Sequence, residues 1–431
     1  MKKSMSAWRW VPTLYFAEGL PYVAVTTLAL IMYKRLGLSN AEIALYTSWL
    51  NLPWVIKPLW SPFVDLLKSK RWWIVVMQSL IGGALAGVAF FIPTAFWIQA
   101  TLACFLVMAF ASATHDIAAD GFYMLGLDEK GQSFFVGIRN LFYRLANIFG
   151  QGLLVMLAGW MEDRYGDIPL AWCLTFSLMA GLFIAFTLYH TLQLPCPEQD
   201  EHPSANEQRP ISLQCLLVDF METFISFFNR KEVGLMLFFL LTYRLGEAQL
   251  VKIASPFLLD TAEAGGLALS TSAVGAIYGT VGVIALMAGG ILSGILVSQD
   301  GLCRWLLPMA LAINLPDLLY LWLAVARPDN VYLIATCVAV EQLGYGFGFT
   351  AYTLYLIRVA DGPRRTAHYA IGTGLMALGM MLPGMPAGWI QEQLGYPLFF
   401  VWVCLCTLPG IWATWMVASQ IRNNLKHNNH E

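Results

Sequence analysis

Charge is what this chain has least of: 12% of its 431 residues are Asp, Glu, Lys or Arg, where an ordinary soluble chain carries roughly a quarter. So few charges cannot clothe the surface of a soluble enzyme. The net charge of −2 excludes the basic footprint of a nucleic-acid binder and leaves no acidic tail. The eight cysteines form no CxxC pair and most lie in apolar runs, which argues against a disulfide framework and against a zinc site. A His/Glu zinc motif, a nucleophile elbow and any cofactor motif are also missing, so nothing marks an enzyme. Lys2, Lys3 and Arg9 precede an apolar run as in a signal peptide, yet no small-residue cleavage site follows. That run is expected to be a retained first span.

What is present is apolar sequence, 58% of the chain. A spanning helix needs about 20 such residues, and twelve stretches supply them, near 11–33, 42–66, 72–93, 95–126, 133–160, 169–190, 233–259, 270–298, 303–325, 330–358, 366–391 and 397–420. Between the sixth and seventh, Leu194 to Pro210 is rich in Pro and acid, a solvated linker. Ile211 to Phe228 follows with apolar residues at helical spacing, as in a helix lying on a membrane surface. The expected organisation is a six-helix half over 1–192, a cytoplasmic linker over 193–231 and a second six-helix half over 232–431. With the N-terminus inside, sixteen Lys and Arg lie on the cytoplasmic side; Lys34, Arg35, Arg164 and Arg327 lie opposite. This asymmetry satisfies the positive-inside rule and puts both termini in the cytoplasm.

The halves repeat. Ala158-Gly159-Trp160 with Gly166 returns as Ala387-Gly388-Trp389 with Gly395, and Leu38-Ser39 returns as Leu269-Ser270. The fold class expected is all-α integral membrane, twelve transmembrane helices in two six-helix pseudo-symmetric halves. Two parallel halves with substrate between them is the major facilitator architecture.

Eleven charged residues remain within the spans: Lys57, Arg139, Arg144, Arg244 and Lys252, with Glu18, Asp116, Asp120, Glu247, Asp317 and Glu341. Each costs at least about 2.5–3.5 kcal/mol at the bilayer centre unless it faces protein or water. Together they describe a polar cavity. Asp116 and Asp120, four apart, share one helix face. Repulsion between them suits proton uptake and release; the alternative is static pairing with Arg139 or Arg144. His115 either helps move that proton or is structural. Arg244 and Glu247 can pair along their helix, leaving Lys252 to reach the cavity. Gly344, Gly346 and Gly348, after Glu341, allow close helix approach. Asp317, after Pro316, is assigned no role.

Five strings resemble one family, in order along the chain. Glu18-Gly19-Leu20-Pro21 resembles its G-L-P, and Lys57-Pro58-Leu59-Trp60-Ser61-Pro62-Phe63-Val64-Asp65 its K-x-x-W-S-P-x-x-D. Ala113-Thr114-His115-Asp116-Ile117-Ala118-Ala119-Asp120 is similar to A-[ST]-Q-D-I-x-x-D. Tyr143-Arg144-Leu145 resembles Y-R-L, and Tyr243-Arg244-Leu245-Gly246-Glu247 resembles Y-[KR]-L-G-D. The family is that of the muropeptide permeases (AmpG type) and the related acetyl-coenzyme A transporters, within the major facilitators. The resemblance implies a proton-driven carrier of the bacterial inner membrane whose cargo is an anhydro-muropeptide or amino-sugar fragment.

Charge pattern and resemblance together nominate Asp116, Asp120 and Glu18 for proton coupling. For the anionic cargo they nominate Lys57, Arg144, Arg244, Glu247, His115, Gly19, Glu341 and Lys252. Asp65 and Arg71 fall in an acidic-basic loop of the kind that major facilitators place between spans two and three, and are expected to gate the inner face. No metal or cofactor is expected, and the partners are the small-molecule cargo, protons and the bilayer around a monomer. His115 stands for the family's Gln and Glu247 for its Asp, and the chain has twelve spans where several members carry two more. The alternatives are an acyl-coenzyme A or other organic-anion carrier of the same fold and, more remotely, a membrane-embedded enzyme.

Overall fold

The structure, a computed structural model, describes residues 7–196, 213–230, 233–360 and 365–428. In chain order the helices are α1 (Val11–Arg35), α2 (Asn40–Trp49), α3 (Leu52–Leu67), α4 (Lys70–Phe91), α5 (Trp97–Gly126), α6 (Glu129–Tyr165) and α7 (Ile168–Gln193). They continue with α8 (Leu213–Phe228), α9 (Val233–Leu259), α10 (Thr271–Asp300), α11 (Leu302–Ala326), α12 (Val331–Val359), α13 (Arg365–Gly384) and α14 (Ala387–Asn428). No strand occurs among the described residues.

Ten of these helices are long and apolar enough to cross a membrane. The second crossing is α2 and α3 in succession, interrupted at Leu50 and Asn51. The eleventh joins α13 to the first turns of α14, up to Gly395, where the backbone turns to φ 72 and ψ 165. Counted with the ten, these two give the described residues enough helix for the twelve crossings expected. Phe90, Leu192, Val325 and Tyr332 are 68% to 85% exposed, the apolar outer surface expected where the solvent is lipid.

Helix ends follow local chemistry, and the internal repeat shows in them. Ser39 caps α2 by accepting from Glu42 N at 3.2 Å, while Glu42 accepts from Ser39 N. Ser270, its counterpart in the repeat, caps α10 through Ala273 N at 3.2 Å. Gly166 closes α6 at φ 66 and Gly395 ends the eleventh crossing at φ 72. Each takes a positive φ, which glycine adopts without steric cost.

The chain divides into two compact units, Met1–Leu36 with Ile56–Ser212 and Gly37–Val55 with Leu213–Glu431. In the first, α4 packs on α5 and α7, and α1 packs on α6. In the second, α12 packs on α10 and α11, and α14 on α9. The stretch 37–55, part of the first half by sequence, joins the second unit because α2 packs on α14. Asn40 donates to Gln391 Oε1 at 2.7 Å and to the Tyr396 hydroxyl at 3.0 Å. In α8, Phe227 is buried while Met221 and Ile225 are more than half exposed.

One ion pair ties three helices of the first unit. Arg35, ending α1, meets Glu162 of α6 at 3.0 Å, and Trp172 of α7 donates to the other Glu162 oxygen at 2.9 Å. Glu162 is nearly buried, while the Arg35 side chain is 30% exposed, which lessens the cost of leaving the arginine alone. Glu162→Ala is therefore expected to lower stability by about 2 kcal/mol, the scale of charge-assisted hydrogen bonds. Thermal unfolding in detergent checks this; an unchanged midpoint would count against it.

Candidate functional site

The first unit gathers charge on four helices. Asp116 and Asp120, one turn apart on α5, face the same way, as their spacing requires. On α1, Tyr15 and Glu18 share a face at three-residue spacing. Lys57 comes from α3 and Arg139 from α6.

Lys57 forms an ion pair with Asp116 Oδ2. Arg139 pairs with Asp120 Oδ1 at 2.9 Å, and the Tyr15 hydroxyl donates to the same oxygen at 3.2 Å. The Arg139 guanidinium lies over the rings of Tyr15 and Tyr123, at 4.6 and 5.1 Å. Such stacking favours Arg over Lys at this position. Glu18 interacts with Asp116 and Asp120 and is 8% exposed. The side chains of Asp116 and Asp120 keep 26% and 43% of their surface. Three carboxyls therefore meet two cations, with one acid buried and two in reach of water. One proton brings the cluster to neutrality.

His115 departs from a simple place at the cargo. It is 1% exposed, and its Nε2 lies 3.0 Å from Gln78 Nε2. Gln78 Oε1 lies 2.9 Å from His190 Nδ1, and His190 Nε2 lies 3.0 Å from Thr13 Oγ1. The amide can donate only through nitrogen, so His115 accepts at Nε2, and His190 donates from Nδ1. This buried chain links α5, α4, α7 and α1. The sequence reading, which counted formal charges in spans, missed Gln78, His190 and Thr13; counting every polar side chain in an apolar run finds them.

Gly19 marks a helix crossing: a Cβ there would stand 2.9 Å from Ala146 Cβ and 3.0 Å from the Tyr143 carbonyl. Asp116 and Asp120 are each ion-paired; Arg139 takes the second, as the static-pairing alternative allowed, while Lys57 takes the first. Arg144 has no carboxylate partner among the described residues. Arg71 donates to the Thr191 carbonyl, tying α4 to α7. Asp65 lies on α3, and its side chain is outside the described residues.

The remaining nominees belong to the second unit. Arg244 donates to the Tyr345 hydroxyl and lies 5.0 and 5.1 Å over Tyr345 and Phe349. Lys252, buried, donates to Thr47 Oγ1 of α2 at 3.0 Å. Glu341 accepts from Gln342 at 3.0 Å, and Glu247 is 3% exposed.

Comparison with known proteins agrees with this architecture. Residues 16–134 match the BT1 family, the segment that carries Glu18, Lys57, Asp116 and Asp120. The anhydromuropeptide permease of Escherichia coli K12 is 27% identical over 406 residues, 92% of this chain and 77% of that one. A Rickettsia conorii protein named as transporter AmpG 4 is 24% identical over 92% of this chain and 93% of its own. The chain is similar to the anhydromuropeptide permeases over most of its length. Its fold is that of the major facilitators. A point mutant of the nucleoside transporter NupG superposes with a TM-score of 0.72 at 17% identity, covering 96% of this chain and 99% of that one. A POT family transporter crystallised with a thioalcohol-conjugated peptide gives 0.72 at 11% identity, over 96% and 95% of the two chains. The proteins it resembles are transporters, not enzymes.

Proposed function

We propose that the protein is a proton-coupled secondary transporter that brings an anhydro-muropeptide or related acidic amino-sugar fragment across a bacterial inner membrane, with both termini cytoplasmic. The observation that carries this reading is the cluster of Glu18, Asp116 and Asp120 against Lys57 and Arg139. A carrier needs a group that holds a proton in one phase of its cycle and releases it in another. Three carboxyls facing two cations are neutral with one proton and negative without it. Water-accessible Asp116 and Asp120 admit the proton, and buried Glu18 retains it. The BT1 match over these helices and the permease relatives support the same assignment.

A peptide-free anhydro-muropeptide offers its lactyl carboxylate, and longer forms offer peptide carboxylates. With Lys57 and Arg139 engaged by aspartates, Arg144 is the arginine of the first unit's family motifs left to meet it. Its fork bonds both carboxylate oxygens, which an ammonium cannot do. Arg144→Lys is expected to weaken cargo binding by about 1–2 kcal/mol, roughly ten-fold, in an isothermal titration of purified protein. Unaltered affinity would remove Arg144 from the cargo site.

The decisive test is uptake of labelled GlcNAc–anhydro-MurNAc by vesicles containing the protein. Accumulation is expected with an inward proton gradient and only equilibration when the gradient is collapsed. Equal accumulation in both conditions overturns the coupling. Gradient-independent exclusion of the disaccharide, with uptake of an acyl-coenzyme A, overturns the cargo.

A further inference from the structure

A second carboxyl cluster lies in the second unit, apart from the Glu18, Asp116 and Asp120 group. Crossing α11 is broken at Leu315 and Pro316, and Asp317 opens its second segment, Asp317–Ala326. An Asp in a first helical turn ordinarily accepts backbone N–H groups there. Here neither carboxylate oxygen has a hydrogen-bond partner, and the residue is 1% exposed. It is not serving as a cap.

Its carboxyl faces α9, where a Cβ on Gly246 would stand 3.3 Å from Oδ2. The next residue, Glu247, is 3% exposed and has one oxygen without a partner. Glu341 of α12, 1% exposed, is held by the amide of Gln342. Glu247, Asp317 and Glu341 interact electrostatically with one another. The other titratable groups facing them are Tyr320 of α11, Tyr278 of α10 and Cys404 of α14. Tyr320, fully buried, has a hydroxyl with no partner. Arg244 is the cation facing the group among the described residues, and it also serves Tyr345.

Three buried carboxyls, one guanidinium and almost no donors leave a charge imbalance that a low-dielectric interior does not support. Such a site neutralises itself by taking up protons. Other ligands fit poorly. No group of acidic, His or Cys side chains among the described residues is arranged to hold a metal ion, and burial closes the cluster to a sugar or peptide.

We propose that Asp317, Glu247 and Glu341 form a second proton-binding site, whose ligand is an exchangeable proton shared among carboxyls on α9, α11 and α12. The site stands without any assignment of cargo; only its consequence, an added proton in each transport cycle, rests on the carrier reading.

Infrared difference spectroscopy of the full chain reconstituted in liposomes, titrated in H2O and in D2O, tests this. Wild type is expected to show a protonated-carboxyl C=O component that shifts on deuteration. That component should persist in the triple variant Glu18→Gln, Asp116→Asn, Asp120→Asn and be lost in Asp317→Asn. Should Asp317→Asn fail to fold, Glu247→Gln and Glu341→Gln are each expected to remove or shift the same component. Spectra unchanged by all three substitutions, or a component that never exchanges with deuterium, overturn the site. Disaccharide uptake is read separately on the same liposomes. Its absence with the component intact sinks the cargo reading alone, and uptake without the component sinks this site alone.

Discussion

Vesicles carrying Asp116→Asn are expected to show no proton-driven accumulation of the disaccharide while retaining part of the exchange of labelled for unlabelled cargo. Under the proposed coupling, net transport requires the cluster to change its proton occupancy once per cycle; exchange at fixed occupancy does not. Asparagine preserves the volume of aspartate but removes the charge that pairs with Lys57. The single variant also leaves the Lys57 ammonium without its counter-ion, and breaking a buried pair on one side costs about 3–5 kcal/mol. Lys57 is 28% exposed, so part of that cost is screened. The double variant Lys57→Met with Asp116→Asn separates the two effects. It restores electrical balance, so its expression and unfolding temperature should return toward wild type while accumulation stays lost. Recovery of full accumulation by the double variant would mean that the pair is structural, and the coupling role assigned to Asp116 would fail.

The second large effect is on folding. Gly346→Ala places a Cβ 1.9 Å from the Leu286 carbonyl oxygen of α10, a backbone atom that cannot swing aside. Gly344 is under the same constraint on the α11 side, 2.1 Å from the Ala312 carbonyl. Helix α12 is thus pressed between two neighbours through glycines. Overpacking typically costs about 1–3 kcal/mol where side chains can adjust. With backbone as the obstacle, Gly346→Ala should lose at least about 3 kcal/mol, a large share of a total stability near 5–15 kcal/mol. The control is Gly294→Ala on α10, where nothing lies within 4 Å. Alanine there should be neutral or stabilising by up to about 1 kcal/mol through helix propensity. Size-exclusion profiles and unfolding temperatures compare the two, and a wild-type profile for Gly346→Ala would falsify the close-packing account.

Much of this protein was legible in its order of residues because the bilayer imposes a local rule. A segment must be apolar over its own length and satisfy its own backbone, so crossings can be read one stretch at a time. The same holds for features set within a helical turn. The shared face of Asp116 and Asp120, the caps at Ser39 and Ser270, and the helix ends at Gly166 and Gly395 all depend on residues a few positions apart. The three glycines of α12 announced close approach, though not which helices would approach.

Partner choice across helices was decided by tertiary structure alone. Sequence offered Arg139 and Arg144 equally to both aspartates, because span five follows span four; rotation of α3 brought Lys57 to Asp116 instead. His115 is the neighbour of Asp116 in the chain, yet successive residues on a helix point about 100° apart, and its ring went to Gln78. Asp317, which follows Pro316, was assigned no role from sequence. Only the packing of α11 on α12 and α14 buried it against Glu247. The segment 37–55 joined the second unit for the same reason, a contact between α2 and α14 that no local pattern encodes. Hydropathy and spacing are properties of one helix, whereas an ion pair or a buried carboxyl is a property of the angle between two.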